Sequence, residues 1–143
     1  MFFRAFEFNQ EIGEWDVSSV TNMRSMFNDA SKFNKYIGDW DVSNVTDMQY
    51  MFHCAYRFDQ FIGDWDVHNV TNMHCMFYWA QKFNKPIGKW DVSNVTDMSD
   101  MFNGTDSFEQ DISGWNINDN TKITGMFAYC TLEEQYKPKR FRQ

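Results

Sequence analysis

Asp16, Asp41, Asp66 and Asp91 recur at intervals of 25 residues, each between a Trp and a Val, and Asn116 closes the series. Carboxylates repeated in register are hard oxygen ligands, and Ca²⁺ is the natural ion for a row of them. Like charges stacked in this way repel unless they are hydrogen-bonded or neutralised. Calcium repeats place several acidic residues close together, whereas these aspartates have only Trp and Val beside them. Each is therefore expected to cap the turn that follows, by accepting backbone N–H groups. The four stand as weak candidates for a cation.

His53, His68 and His74 fall near Cys54 and Cys75. Imidazole and thiolate are zinc ligands, but no Cys-x-x-Cys or His-x-x-x-His spacing accompanies them. No metal and no cofactor is expected. The letters of a Ser-His-Asp or Cys-His catalyst are present without the context of a nucleophile. The chain is expected not to be an enzyme. Asn44, Asn69 and Asn94 each begin an Asn-Val-Thr sequon. In a secreted protein that reads as glycosylation, yet the regular placement points to Asn side chains bonding turn backbone.

The period that places these residues runs through the whole chain. Trp recurs at 15, 40, 65, 90 and 115, Phe at 8, 33, 58, 83 and 108, and Ile at 12, 37, 62, 87 and 112. Met-Phe appears six times at the same interval, from Met1-Phe2 to Met126-Phe127. A strict period without insertions is what a solenoid requires, because each coil lies on the one before it. Within one unit, Asp39 to Ser43 alternates polar and apolar residues, which predicts a short parallel strand. Met48, Met51, Phe52 and Ala55 follow with the spacing of one helical face, which predicts a short helix or 3₁₀ turn. Adjacent coils would then lie roughly 4.8 Å apart and the stack would measure about 27 Å. Gly13, Gly38, Gly63 and Gly88 are expected to supply a bend. Phe33, Ile37, Trp40, Val42, Val45, Met48, Met51, Phe52 and Ala55 should face inward.

The unit from Phe33 to Ala55, FNKYIGDWDVSNVTDMQYMFHCA, resembles the repeat of the BspA-like leucine-rich-repeat surface proteins, a family that includes mycoplasma lipoproteins. The W-D-V-S-x-V-T-x-M-x-x-M-F core carries the likeness and covers the chain to about Thr131. The resemblance implies a leucine-rich-repeat-like solenoid with a surface, binding or adhesion role and no shared active site. Residues 1–131 are read as five to six 25-residue repeats, starting in mid-repeat and ending in a degenerate, capping one. Asn120, Ile123 and Gly114 mark that last departure. Residues 132–143 form a basic tail, read as solvated, in which Pro138 stops regular structure.

A net charge of −7 disfavours nucleic acid as a partner, and no apolar run is long enough to span a membrane. Three cysteines form no disulfide framework. Location at the cell surface or in the secreted fraction, as part of a longer protein, follows from the resemblance. The lack of a signal peptide leaves an intracellular or virion place as the alternative. Binding residues are sought where the repeat leaves the residue free: Tyr36, Tyr50, Phe61, Tyr78, Trp79, His53 and His74. Exposed aromatic residues are enriched in recognition patches. The expected partner is a protein or a glycan. The alternative is a structural subunit of a larger assembly, for example a virion or a filament stacked end to end.

Overall fold

Each repeat is a succession of hydrogen-bonded turns that begin and end on core residues. A computed structural model describes residues 1–142. In the unit that starts at Ile62, the N–H of Trp65 donates to Ile62 at 3.2 Å, that of Val70 to Val67 at 2.9 Å and that of Met76 to Met73 at 3.1 Å. Ala80 then donates to Phe77 at 2.9 Å and Phe83 to Ala80 at 3.1 Å. All of these residues are buried. A four-residue turn brings its two ends close together, so apolar residues three apart share the inner side.

This explains why neither element expected in each unit forms. Among the described residues, the segment from Asp39 to Ser43 is not a strand and Met48 to Ala55 is not a helix. The three-residue spacing is common to helices and to chained turns, and the turns take it here. Parallel pairing passes instead through single positions: Asn22, Asp47, Asn72, Asp97 and Lys122.

Beyond that position every second N–H reaches the next repeat. Met48 donates to Asn72 at 3.0 Å, Tyr50 to His74 at 3.0 Å, Phe52 to Met76 at 2.9 Å and Cys54 to Tyr78 at 2.7 Å. Of the alternate N–H groups, that of Gln49 donates to Asp47 Oδ1, and those of Met51, His53 and Ala55 turn back to the carbonyl three residues earlier. Two positions must take positive φ to allow this. One is the column Ser25, Tyr50, Cys75, Asp100 and Gly125; the other is Arg4, Asp29, Cys54, Trp79, Gly104 and Tyr129. The third residue of such a turn needs left-handed backbone, which explains the geometry though not the residue types.

Side chains stack in columns over these turns. Phe27, Phe52, Phe77, Phe102 and Phe127 follow one another with ring centroids 5.5–5.8 Å apart and nearly parallel planes. Phe33, Phe58, Phe83 and Phe108 form a second column at 6.0 Å. The rings thus repeat at a wider interval than the roughly 4.8 Å of neighbouring strands. The nine residues expected to face inward from the second and third repeats are all at most 4% exposed.

The glycines stand in the expected bend, inside the turns that the Trp N–H groups close on the Ile carbonyls, and they have a second role. A Cβ on Gly63 would stand 2.4 Å from the carbonyl oxygen of Pro86 in the next repeat, and Gly38 meets Phe61 at 2.5 Å in the same way. Neither has positive φ. Close approach between repeats, and not backbone freedom, requires them. In the last unit Ser113 takes this place.

The two ends differ. At one, Met1, Phe3, Phe6 and Trp15 are exposed and Phe2 stacks on Phe8 at 3.8 Å. At the other, the degenerate repeat shifts by one residue: Thr121, not Asn120, is buried, and its hydroxyl donates to Val95 at 2.7 Å. The tail, expected to be solvated, folds over that end. Leu132 is buried, the Phe141 ring packs edge-on against Phe127 at 4.8 Å, and Tyr136 accepts the Ile112 N–H at 3.0 Å. Arg140 donates to the backbone oxygens of Asn118 and Thr121, at 2.8 and 2.9 Å. Two single 3₁₀ turns, Glu134–Tyr136 and Lys139–Phe141, shape the segment around a buried Pro138. Apolar contacts and unpaired carbonyls of the last unit outweigh the solvation of its charges.

Candidate functional site

The aspartate row is engaged by its own turns. Asp16 Oδ1 accepts the N–H and hydroxyl of Ser18 at 3.0 and 2.6 Å. Asp41 does the same with Ser43, and Asp91 with Ser93. Asp66 accepts the N–H of His68 at 3.2 Å and pairs with its Nδ1 at 2.7 Å. The Ser hydroxyls first, and then the backbone N–H groups, hold Asp16, Asp41 and Asp91 below the ordinary carboxylate range. Asn44, Asn69 and Asn94 spend their amides on Ser18, Ser43 and His68 carbonyls one repeat back, at 2.7–2.8 Å.

Five of the seven residues singled out for binding share one face. Tyr50, His53, His74, Tyr78 and Trp79 lie on or beside the left-handed columns, and each is partly buried. The Tyr50 ring meets His53 edge-on at 5.6 Å and His74 at 5.2 Å, while His53 stacks on Tyr78 at 4.8 Å. Trp79 leans over Gly104, whose missing Cβ would lie 2.7 Å from the indole. Tyr50 and Trp79 leave the turn from left-handed backbone and His53, His74 and Tyr78 stand directly beside those positions, so successive repeats present them as a row.

His74 is tied in at both nitrogens. Nδ1 lies 2.9 Å from Ser99 Oγ, which in turn donates to Asp97, and Nε2 lies 3.1 Å from the Tyr50 hydroxyl. The Cys75 thiol is 3.4 Å from Nε2, but burial, and then Asp100 and Asp97, push it up to about 12. A thiol so far from ionisation is a poor nucleophile. His53 and His74 do not meet directly; Tyr50 stands between them.

Tyr36 and Phe61 belong elsewhere. Each covers a glycine two residues on, and Tyr36 donates to Asp39 Oδ1 at 3.0 Å. Phe61 lines an open groove of about 280 Å³ with Gly63, Pro86, Lys89 and Asp111.

Two constellations on the row were read from the sequence only in part, in their His and Cys residues and without Asp29 or Asp100. Asp29, His53 and Cys54 have one ligand atom each within 4.8 Å of the others, and so do His74, Cys75 and Asp100. The signal was there in the register: Asp29 and Cys54 differ by one period and therefore adjoin.

No curated protein and no solved structure matches the chain. One family model does, over residues 1–74 and again over 57–137, and its description is "Mycoplasma protein of unknown function, DUF285". Two overlapping matches that together take in nearly every repeat show that the chain belongs to this mycoplasma-type repeat family.

Proposed function

We propose that the chain is a BspA-like, leucine-rich-repeat-type solenoid that works as a non-enzymatic binding module for a protein or a glycan. The observation that carries this is the row formed by Tyr50, His53, Tyr78 and Trp79 on and beside the left-handed columns. The turns dictate the backbone there and leave the side chain free, so the row is a surface on which recognition is written without disturbing the core. Semi-buried aromatic rings supply contact area at little entropic cost. The neutral, buried thiol of Cys75 and the self-satisfied aspartates speak against catalysis. Display at a cell surface, as the family likeness implies, suits this role. Among the described residues no helix is long and apolar enough to cross a membrane.

A printed glycan array and a displayed peptide library are the probes. Binders selected on the wild-type chain should weaken at least about tenfold with Tyr78→Ala or Trp79→Ala. Tyr36→Ala, on the other surface, should leave them unchanged. Binders that lose affinity only with Tyr36→Ala or Phe61→Ala would move the site to the Phe61 groove.

A second reading is a structural subunit that associates through its first repeat, where Met1, Phe3, Phe6 and Trp15 are exposed. Light scattering over a dilution series separates the two. Association that disappears with Phe3→Glu favours the assembly, and a constant monomer mass removes it.

A further inference from the structure

Asp29 and Cys54 occupy the same slot of successive repeats, with φ of 60° and 55°. Their side chains therefore leave adjoining turns in the same direction. The Asp29 N–H donates to the His53 carbonyl at 2.8 Å, which locks the two repeats together at this point. His53 carries a buried ring nitrogen, Nδ1, without a hydrogen-bond partner among the described residues. An orphaned buried polar atom calls for an explanation. The three ligand atoms, imidazole nitrogen, thiol sulfur and carboxylate oxygen, all lie within 4.8 Å of one another. Tetrahedral zinc needs such atoms roughly 3.3–3.5 Å apart, a difference that side-chain rotation on partly buried residues covers. Trp79, next in the slot, leans over Gly104, and the Cys54 thiol has the Tyr56 hydroxyl and the Asp29 carboxylate as its side-chain neighbours.

We propose that Asp29, His53 and Cys54 form a site for a thiophilic divalent metal ion of the zinc type, with water completing the coordination. The mixed sulfur, nitrogen and oxygen set suits zinc or cobalt and not calcium. The neighbouring His74, Cys75 and Asp100 are not a second site, because His74 is held by Ser99 and Tyr50, and Asp100 accepts from Asn103 at 2.9 Å. Arg4 touches only one oxygen of Asp29, at 3.9 Å. The ion would clamp the second and third repeats beneath the aromatic row, whatever that row binds.

The test uses the reduced full chain with cobalt(II) alone and zinc(II) alone. Cobalt should give a thiolate-to-metal charge-transfer band that saturates at about one equivalent and that zinc displaces. Cys54→Ser should abolish the band, and Asp29→Asn and His53→Gln should weaken binding by at least about tenfold, as even outer partners of a metal do. Cys75→Ser should bind as the wild type does. On the unmutated chain, zinc should slow alkylation of Cys54 and leave Cys130 unaffected, which needs no variant to fold. The absence of a band, or a band lost with Cys75→Ser and kept with Cys54→Ser, overturns the site.

Discussion

The indole Nε1 of Trp65 donates to the backbone oxygen of Ile37 at 3.1 Å, and that oxygen already accepts the N–H of Trp40. Trp40, Trp90 and Trp115 make the same bond to Ile12, Ile62 and Ile87. Each tryptophan thus ties its own turn to the one beneath it, which gives a polar reason for a residue that hydrophobicity alone would let vary. Trp65→Phe keeps a ring in the core but loses this bond and part of the buried area. It should cost about 2 kcal/mol in chemical denaturation, with the transition remaining cooperative.

Two glycines give opposite expectations. Gly63→Ala sets a methyl 2.4 Å from the Pro86 oxygen, so the repeats must separate. A loss of about 1–3 kcal/mol is expected, as for other overpacked sites. A Cβ on Gly114 meets nothing within 4 Å. Gly114→Ala should therefore be neutral or raise stability by about 0.4–1 kcal/mol through the unfolded chain. Urea midpoints of the pair check both signs.

Ser25 has φ of 57°, and its column carries glycine at Gly125. Non-glycine residues in left-handed backbone are strained by about 1 kcal/mol. Ser25→Gly should raise the melting temperature, and Ser25→Val, whose branched side chain tolerates that backbone poorly, should lower it.

Acid should weaken the fold through the aspartate turns. Ser18, Ser43, Ser93 and Ser113 hold Asp16, Asp41, Asp91 and Asp111 below the ordinary value of 3.8, each chiefly through its hydroxyl. Asp16 opposes the shift at Asp41, while His68 assists at Asp91 and Arg142 at Asp111. A depressed folded-state pKa means that the stabilisation is complete above the unfolded value and is lost as pH falls through the folded one. Thermal melts should decline below about pH 4, and the triple variant Ser18→Ala, Ser43→Ala, Ser93→Ala should show a shallower decline.

The core was legible because each inward residue is repeated in register, and a residue that touches only its own counterparts above and below must repeat. The local conformation was not legible. Met48, Met51, Phe52 and Ala55 have helical spacing, and nothing in their types tells a helix from two turns with Tyr50 and Cys54 in left-handed backbone. Those two slots hold Ser, Tyr, Cys, Asp, Arg and Trp in different repeats, so the glycine that usually marks positive φ shows only at Gly104 and Gly125. The binding candidates were singled out by that same variability, and their slots fall on more than one side of the unit, but which of them share a face was not legible. Tyr36 and Phe61 are as free in sequence as Tyr50 and Tyr78, and only the path of the turns separates them. The Asp29, His53 and Cys54 cluster was hidden because its members lie in two units and fit no local ligand spacing.

The hydrogen bonds between full repeats join residues 24 to 28 apart. Each unit is therefore fastened only to its immediate neighbours. Pulled from its ends, such a chain has no distant latch to hold it until everything gives way together. It should peel in equal steps, each releasing one 25-residue circuit and about 85 Å of extended length. The stack would act as a spring with a graduated response to load.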